Sequence, residues 1–337
     1  MTSPILSIVI PTFNRASYLK QTLENLRREL PTVAAGTVEI IVSDNASPDD
    51  TPTVVSAAVA DGLSIRSIRN AENIGSDANI AQVFNMAKAP YVLILGDDDV
   101  LVAGTLSFLI STLQKETYGV VCLKSYGYDS DLLAEHPGGH GKSLVFEDSG
   151  DFIAAIGAYI TLISACVINK GLLGDIDARQ FCGGNLVQVH LVLKAALSAR
   201  QNLFYTGYAV ACKRNNSGGY DFSKVFVEEL GRILDSYVAD GLPRSGIRKF
   251  ERRMMFGYYP YYLLRQRQNQ TAGLNDTYGR FSTRFGNRPL FWIWLAPILK
   301  LPRPLSLLWG SLTVAVGRSL SGDFRRGLTF LQKQFLR

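Results

Sequence analysis

Short apolar runs alternate along the first hundred positions with segments whose apolar residues recur every three or four. Residues 5–10 (Ile-Leu-Ser-Ile-Val-Ile) read as a strand that Pro11 ends, and Leu19, Leu23, Leu26 and Leu30 then mark a helix over 16–30. A second strand over 38–43 gives way to Asp44-Asn45-Ala46-Ser47-Pro48-Asp49-Asp50-Thr51, a stretch rich in cap formers from which a helix starts near Pro48. A third strand over 63–68 runs into the polar stretch 70–75, followed by a helix over 77–88 and a fourth strand over 91–95. Strands that alternate with helices imply a parallel, doubly wound sheet with right-handed crossovers. The polar segments 11–15, 44–47, 70–75 and 97–99 all follow the carboxyl ends of strands, so a parallel sheet collects them along one edge.

Farther on, the pattern predicts a helix over 103–115, a strand over 119–124, a mobile polar loop over 127–150 and a buried strand over 161–168. A helix over 186–197 and a strand over 205–213 follow, with 215–220 as a second flexible loop. Beyond residue 240 the character changes. Arg248, Arg252 and Arg253 precede the aromatic residues Phe256, Tyr258, Tyr259, Tyr261 and Tyr262. Two apolar segments, 290–299 and 305–316, are separated by Lys300, Pro302, Arg303 and Pro304. Each is shorter than the ~20 residues needed to span a bilayer, so helices lying in the headgroup region are expected.

Charge sharpens that division. The 337-residue chain carries a formal net charge of only +6, yet residues 241–337 hold 17 Lys and Arg against 3 Asp and Glu. The first 240 residues are net acidic. We therefore expect two parts, a net-acidic α/β domain over 1–240 and a basic, aromatic, helical region over 241–337. The second part suits an anionic membrane surface, and its apolar segments argue against a nucleic-acid partner. Cys122, Cys166, Cys182 and Cys212 lack zinc-site spacing and are expected as reduced, mostly packed thiols, and no signal peptide is visible, which together suggest a cytoplasmic location.

The strongest chemical signal is Tyr91-Val-Leu-Ile-Leu-Gly-Asp-Asp-Asp99, a buried-type strand that stops at a glycine and three consecutive carboxylates. Adjacent Asp side chains repel one another and titrate upward unless a cation neutralises them, and oxygen-only ligands suit a hard ion such as Mg²⁺ or Mn²⁺.

Four segments in order, Ser7-Ile-Val-Ile-Pro-Thr-Phe-Asn-Arg15, Ile41-Val-Ser-Asp-Asn-Ala-Ser47, Asn70-Ala-Glu-Asn-Ile-Gly75 and Gly96-Asp-Asp-Asp99, resemble the family 2 glycosyltransferases of the GT-A fold. Within that family the chain is most similar to bacterial enzymes of surface-polysaccharide assembly, abequosyltransferase-like ones among them. The resemblance implies an α/β GT-A domain with a Rossmann-like, mostly parallel sheet, followed here by the basic helical region. It also implies a nucleoside-diphosphate sugar donor and a glycan acceptor, for which a polyprenyl-diphosphate carrier at the inner face of the bacterial cytoplasmic membrane is expected.

Carried over residue by residue, Pro11, Thr12, Asn14 and Arg15 would line the nucleotide pocket together with Asp44, Asn73 and Gly75. Asp97 and Asp98 would meet the ribose or donor sugar, and Asp99 with Asp97 would hold Mn²⁺ or Mg²⁺. Lys213 and Arg214 would reach the diphosphate as 215–220 closes. Inverting members carry an acidic pair just before the helix that corresponds to 186–197, whereas this chain reads Gly184-Asn-Leu-Val-Gln-Val-His190. His190 is therefore the candidate general base beside Asp97, with Asp148, Asp151, Asp175 and Asp177 as loop-borne alternatives and a retaining reaction also open. A catalytically silent nucleotide- or glycan-binding protein on the same fold is the alternative reading.

Overall fold

The computed structural model describes residues 3–214 and 219–320. The chain divides into two compact units, Met1–Gly218 and Gly219–Arg337. That boundary lies about twenty residues before the expected break at 240. The reason is that the helical stretch after Gly219 packs with the basic region: the Tyr259 hydroxyl donates to the Phe226 carbonyl at 2.9 Å, and Arg280 pairs with Asp221 at 2.7 Å.

In the first unit, strands β1 (Leu6–Thr12), β2 (Val38–Asp44), β3 (Ile65–Arg69) and β4 (Tyr91–Ile94) pair in parallel in the order β3-β2-β1-β4. Helices α1 (Ala16–Glu29), α2 (Thr51–Ala60) and α3 (Ser76–Met86) make the crossovers. β1 and β4 are largely apolar because both of their faces are covered, whereas β3 at the edge reads Ile-Arg-Ser-Ile-Arg and stays half-buried to exposed. Leu6, Ile8, Ile10, Ile40 and Val42 pack against Leu19, Leu23 and Leu26 of α1, while Val9, Ile41, Val92 and Ile94 are buried on the opposite face.

The sheet then becomes mixed. β5 (Asp99–Leu101) is followed by α4 (Thr105–Lys115), β6 (Val120–Tyr128), β7 (Ser143–Phe146), α5 (Ser149–Ile156), β8 (Cys166–Asn169), α6 (Val187–Ser198) and β9 (Asn202–Lys213). β6 and β9 pair in parallel, whereas β8 lies antiparallel to both β4 and β6, and β9 pairs antiparallel with β5 and β7. The stretch 127–150, expected as a mobile loop, instead ends β6, supplies β7 and starts α5. β9 is long enough to offer β7 an edge, and the Glu135 carboxylate gathers the backbone N–H groups of Asp129, Ser130 and Asp131. The strand expected over 161–168 is confined to β8, because Gly157–Thr161 and Ile163–Ala165 coil into 3₁₀ turns that point the Ser164 hydroxyl inward. None of the four cysteines forms a disulfide, although Cys182 is exposed rather than packed.

In the second unit, α7 (Leu230–Ser236), α8 (Arg244–Arg253), α9 (Tyr259–Gln268), α10 (Leu274–Phe285), α11 (Ala296–Lys300) and α12 (Arg303–Leu320) form an all-helical body. Its interior holds a buried carboxylate, Glu251, which Arg284 and Arg288 both engage. No helix among the described residues is long and apolar enough to cross a membrane.

Candidate functional site

The parallel register decides which side chains meet. Thr12 stands opposite Asp44, Asp44 opposite Arg69, and Val9 opposite Ile94, so the chain segments leaving β1, β2, β3 and β4 lie side by side. The strand order reverses between β1 and β4, where open α/β sheets leave a crevice. The Thr12 hydroxyl bridges that reversal by donating to Asp97 Oδ2 at 2.7 Å. Arg15, at the head of α1, places one guanidinium nitrogen 3.2 Å from both Asp97 Oδ1 and Asp98 Oδ2. The Thr22 hydroxyl lies 2.9 and 3.0 Å from the carbonyl oxygens of Asp97 and Asp99, which clamps the triplet's backbone.

Asp99 turns into the protein. It begins β5 opposite Cys212, and the Ser164 hydroxyl donates to its Oδ2 while accepting from the Gly96 N–H at 2.8 Å. Asp97 and Asp99 are each only 5% exposed. Burial drives both carboxyls above the ordinary range, Asp97 to about 6 and Asp99 to about 7. The neighbouring Asp98 charge adds to both shifts, whereas Thr12 and Arg15 oppose the rise at Asp97 and Ser164 opposes it at Asp99. Gly96 is confined here, since a Cβ would stand 3.0 Å from Asp99 Oδ2 and 3.3 Å from Ser164 Oγ.

On the other side of β1, Asp44 is buried. Its Oδ1 accepts the Ser47 N–H at 2.9 Å, while its Oδ2 lies 3.4 Å from Arg69 Nε and has no hydrogen-bond partner. Asp44 is not the cap of α2, which starts at Thr51 under the Asp49 carboxylate. A buried carboxylate oxygen left without a donor is costly unless a ligand supplies one. Asn45 ties this strand end to the next loop. Its Nδ2 donates to Asn73 Oδ1 at 2.8 Å and to the Gly75 carbonyl at 3.3 Å, and its Oδ1 accepts from Asn70 Nδ2 at 2.9 Å and Ile74 N at 3.0 Å. Gly75 opens α3 at φ +86°, a conformation that favours glycine, and Asn14 and Ala46 also take positive φ beside the crevice. Pro11 pairs with Ser43 inside the sheet, and Asn14 anchors its loop by donating its N–H to Ser47 Oγ at 2.9 Å.

Two expected groups are engaged elsewhere. Lys213 reaches the Asp129 carbonyl and lies 5.1 Å from the Tyr128 ring centre, and Arg214 pairs with Asp129 at 2.6 Å and Glu135 at 3.0 Å. The backbone amides of Ser130, Asp129 and Asp131, with Arg214 beside them, hold Glu135 down to about 2. The closing loop expected over 215–220 lies outside the described residues at 215–218. His190 sits in the first turns of α6 with its ring stacked on Phe181, centres 4.6 Å apart. The turn before α6 is tethered to the start of α3, since Asp77 Oδ2 in its first turn accepts from Gly183 N at 2.8 Å and Asn185 N at 2.9 Å. Of the alternative bases, Asp148 caps α5 and Asp177 accepts from Arg179 N and Asn85 Nδ2.

Asn45, Thr22 and Ser164 complete this arrangement and were not singled out in the sequence. Thr22 had a signal: it interrupts the inward stripe of α1 between Leu19 and Leu26 with a fully buried hydroxyl. Ser164 likewise interrupts an apolar run.

A family model described as Glycosyl transferase family 2 matches residues 7–176, half of the chain. Among curated proteins, the chain is 34% identical over 108 residues to the GalNAc(5)-diNAcBac-PP-undecaprenol beta-1,3-glucosyltransferase of Campylobacter jejuni, covering 32% of this chain and 34% of the relative. It is 30% identical over 119 residues to abequosyltransferase RfbV of Salmonella typhimurium, covering 35% of each. The chain thus matches about a third of the length of these relatives. Among solved structures, Staphylococcus aureus TarS 1-349 in complex with UDP-GlcNAc superposes with a TM-score of 0.63 at 15% identity, over 94% of this chain and 91% of that one. The mannosyltransferase PcManGT of Pyrobaculum calidifontis, in complex with GDP-Man and Mn²⁺, gives 0.53 at 15% identity over 95% and 87%. These superpositions establish the GT-A-like fold.

Proposed function

Because the chain belongs to glycosyl transferase family 2, we propose that it transfers a sugar from a nucleoside-diphosphate donor to a glycan acceptor borne on polyprenyl diphosphate, in O-antigen- or capsule-type assembly. The observation that carries the reading is the crevice between β1 and β4, where Thr12, Arg15, Asp44 and the Asp97–Asp99 triplet converge. The UDP-GlcNAc and GDP-Man complexes of the structural neighbours support a nucleotide-sugar donor, and the undecaprenol-linked substrate in a relative's name supports the acceptor class.

In this reading Asp44 Oδ2 accepts the donor hydrogen bond it lacks, from the base or ribose, and the Asn73–Gly75 loop walls the same pocket. Asp97 and Asp98 orient the ribose and sugar. The carboxylates of Asp97 and Asp99 fit Mg²⁺ or Mn²⁺: the set is all oxygen, and such ions bind through one or two carboxylates with substrate phosphate and water completing the shell. That ion would neutralise charge on the departing nucleoside diphosphate. Lys213 and Arg214 can meet the diphosphate only by leaving Asp129 and Glu135. His190 is the proposed base for the acceptor hydroxyl. The acceptor class and the basic second unit support a peripheral enzyme at the cytoplasmic face of a membrane.

The test is hydrolysis and transfer from UDP-, GDP-, CDP- and dTDP-sugars with Mn²⁺, Mg²⁺ or EDTA, using wild type and Asp99→Asn. Turnover of one donor that needs the metal and falls by roughly 10²-fold or more in the variant is expected. Nucleotide binding without turnover of any donor would favour the silent binding protein, a reading motivated by the missing carboxylate pair before α6.

A further inference from the structure

The helix α12 is built inside out. Apart from Val314, its buried residues among those described are small or polar: Ser306 and Thr313 are fully buried and Ser311 nearly so. Gly310 and Gly317 sit at close approaches, for a Cβ on Gly317 would stand 2.2 Å from the Phe256 carbonyl oxygen and one on Gly310 2.9 Å from the Leu264 side chain. The buried hydroxyls are satisfied, Ser306 by Ile298 O at 2.5 Å, Ser311 by Leu307 O at 2.7 Å and Thr313 by Gly310 O at 2.9 Å. Three leucines face outward. Leu305, Leu308 and Leu312, spaced three and four apart, are 53, 60 and 50% exposed. A helix packed against a water-soluble body has the reverse pattern, whereas small residues inside and large apolar ones outside suit a helix whose outer face meets hydrocarbon.

The segment before α11 extends the patch. Trp292 is 52% and Ile293 63% exposed, and Trp309 Nε1 donates to the Trp294 carbonyl at 3.3 Å, which brings the two segments alongside each other. Isolated exposed leucines need no explanation, but a cluster on two adjoining segments does. Charge selects the occupant. The region 241–337 has 17 basic and 3 acidic residues, and Lys300 and Arg303 lie at the turn between α11 and α12 with Arg288 and Arg318 at the far ends. Two copies joined through this face would bring like charges together, whereas an anionic lipid surface complements it.

We propose that the Leu305, Leu308 and Leu312 face of α12, with Trp292 and Ile293, inserts into the headgroup–acyl boundary of an anionic bilayer as an in-plane anchor. The inference deepens the peripheral-membrane part of the proposed function and rests on it. Shallow in-plane insertion also agrees with the finding that no helix among the described residues can cross a bilayer.

All three tryptophans of the chain, Trp292, Trp294 and Trp309, lie in this region, so selectively excited tryptophan emission reports on it alone. The full chain would be titrated with vesicles of phosphatidylcholine alone and of an equal mixture with phosphatidylglycerol, in parallel with lipid-free donor hydrolysis. Wild type should bind the anionic vesicles with a blue-shifted emission, and the triple variant L305S/L308S/L312S should bind roughly tenfold more weakly or worse with donor hydrolysis unchanged. Leu308→Lys is the second variant: insertion predicts weaker binding, and tighter binding through the added charge would overturn insertion. Unshifted emission, or equal binding by the triple variant, would also overturn the anchor. So would a wild-type dimer that the triple variant dissolves without any vesicle binding, because the face would then belong to a second copy. Vesicle binding as expected with no donor turnover would instead overturn the transferase reading and support the anchor.

Discussion

Replacing Asn45 with alanine tests whether the amide network at the end of β2 holds the donor-side loop. The side chain is buried and makes four hydrogen bonds, to Asn73 Oδ1, the Gly75 carbonyl, Asn70 Nδ2 and Ile74 N. At about 1 kcal/mol net per bond the sum is ~4 kcal/mol. Asn73, Ile74 and Gly75 are themselves exposed, so water recovers part of the loss, and about 2 kcal/mol is the better expectation. For a unit of this size that lowers Tm by roughly 4–8 °C. The larger consequence falls on the crevice: with 70–75 released, donor affinity should drop by roughly tenfold or more, seen as a raised KM or a weaker nucleotide Kd by calorimetry. Asn45→Asp separates the two halves of the network, because it keeps the acceptors for Asn70 and Ile74 but removes both donors. Hydrogen exchange at the Ile74 amide gives a direct local reading. Asn45→Ala with an unchanged Tm, unchanged Ile74 exchange and unchanged nucleotide affinity would refute the reasoning.

Stability of the metal-free protein should depend on pH through Asp97 and Asp99. Burial raises both carboxyls, to about 6 and about 7, so between the ordinary carboxylate range and neutrality the folded chain holds protons that the unfolded chain has released. Their contribution is therefore full below about pH 4 and is lost as pH rises from there to the raised values; in EDTA, Tm should fall from about pH 4 to about pH 7 and level off above, and Mn²⁺ should reverse the fall by stabilising the ionised form. His190→Ala should lower kcat by roughly 10²-fold if the imidazole takes the acceptor proton, whereas a purely packing role on Phe181 would lower Tm and spare kcat. Glu251→Ala should destabilise the helical unit by about 2–3 kcal/mol in urea unfolding, because two partly buried guanidinium groups lose their shared carboxylate while Arg284 retains Asp235; an unchanged midpoint would count against that account.

The first half of the fold was legible because its signals are local. Buried parallel strands demand unbroken apolar runs, their helices show a periodic apolar stripe, and polar stretches at strand ends then fall on one edge. β1 to β4 and α1 to α3 lie within two or three residues of where the pattern put them. The later half was harder to read for a physical reason. Antiparallel pairings such as β5 with β9 and β7 with β9 join segments far apart in sequence, and a short exposed strand such as β7 acquires its partner only after the chain has folded. An apolar run like 159–168 fits strand and tight turn equally, and the hydrogen bonds of Ser164 favour the turn.

The sequence alone determined the alternation of strands and helices, the clustering of Thr12, Asp44 and Asp97 at one sheet edge, and the division between an acidic front and a basic back. Residue type and spacing suffice for these, since they express backbone periodicity and net charge. Only the tertiary structure decided that Asp99 faces Ser164 and Cys212 inside the protein, that Arg15 spans Asp97 and Asp98, and that Arg214 is engaged by Asp129 and Glu135. It also decided that α12 turns Leu305, Leu308 and Leu312 outward. Those are matters of side-chain direction and long-range partnership, set by which segments pack together rather than by any local stretch of chain.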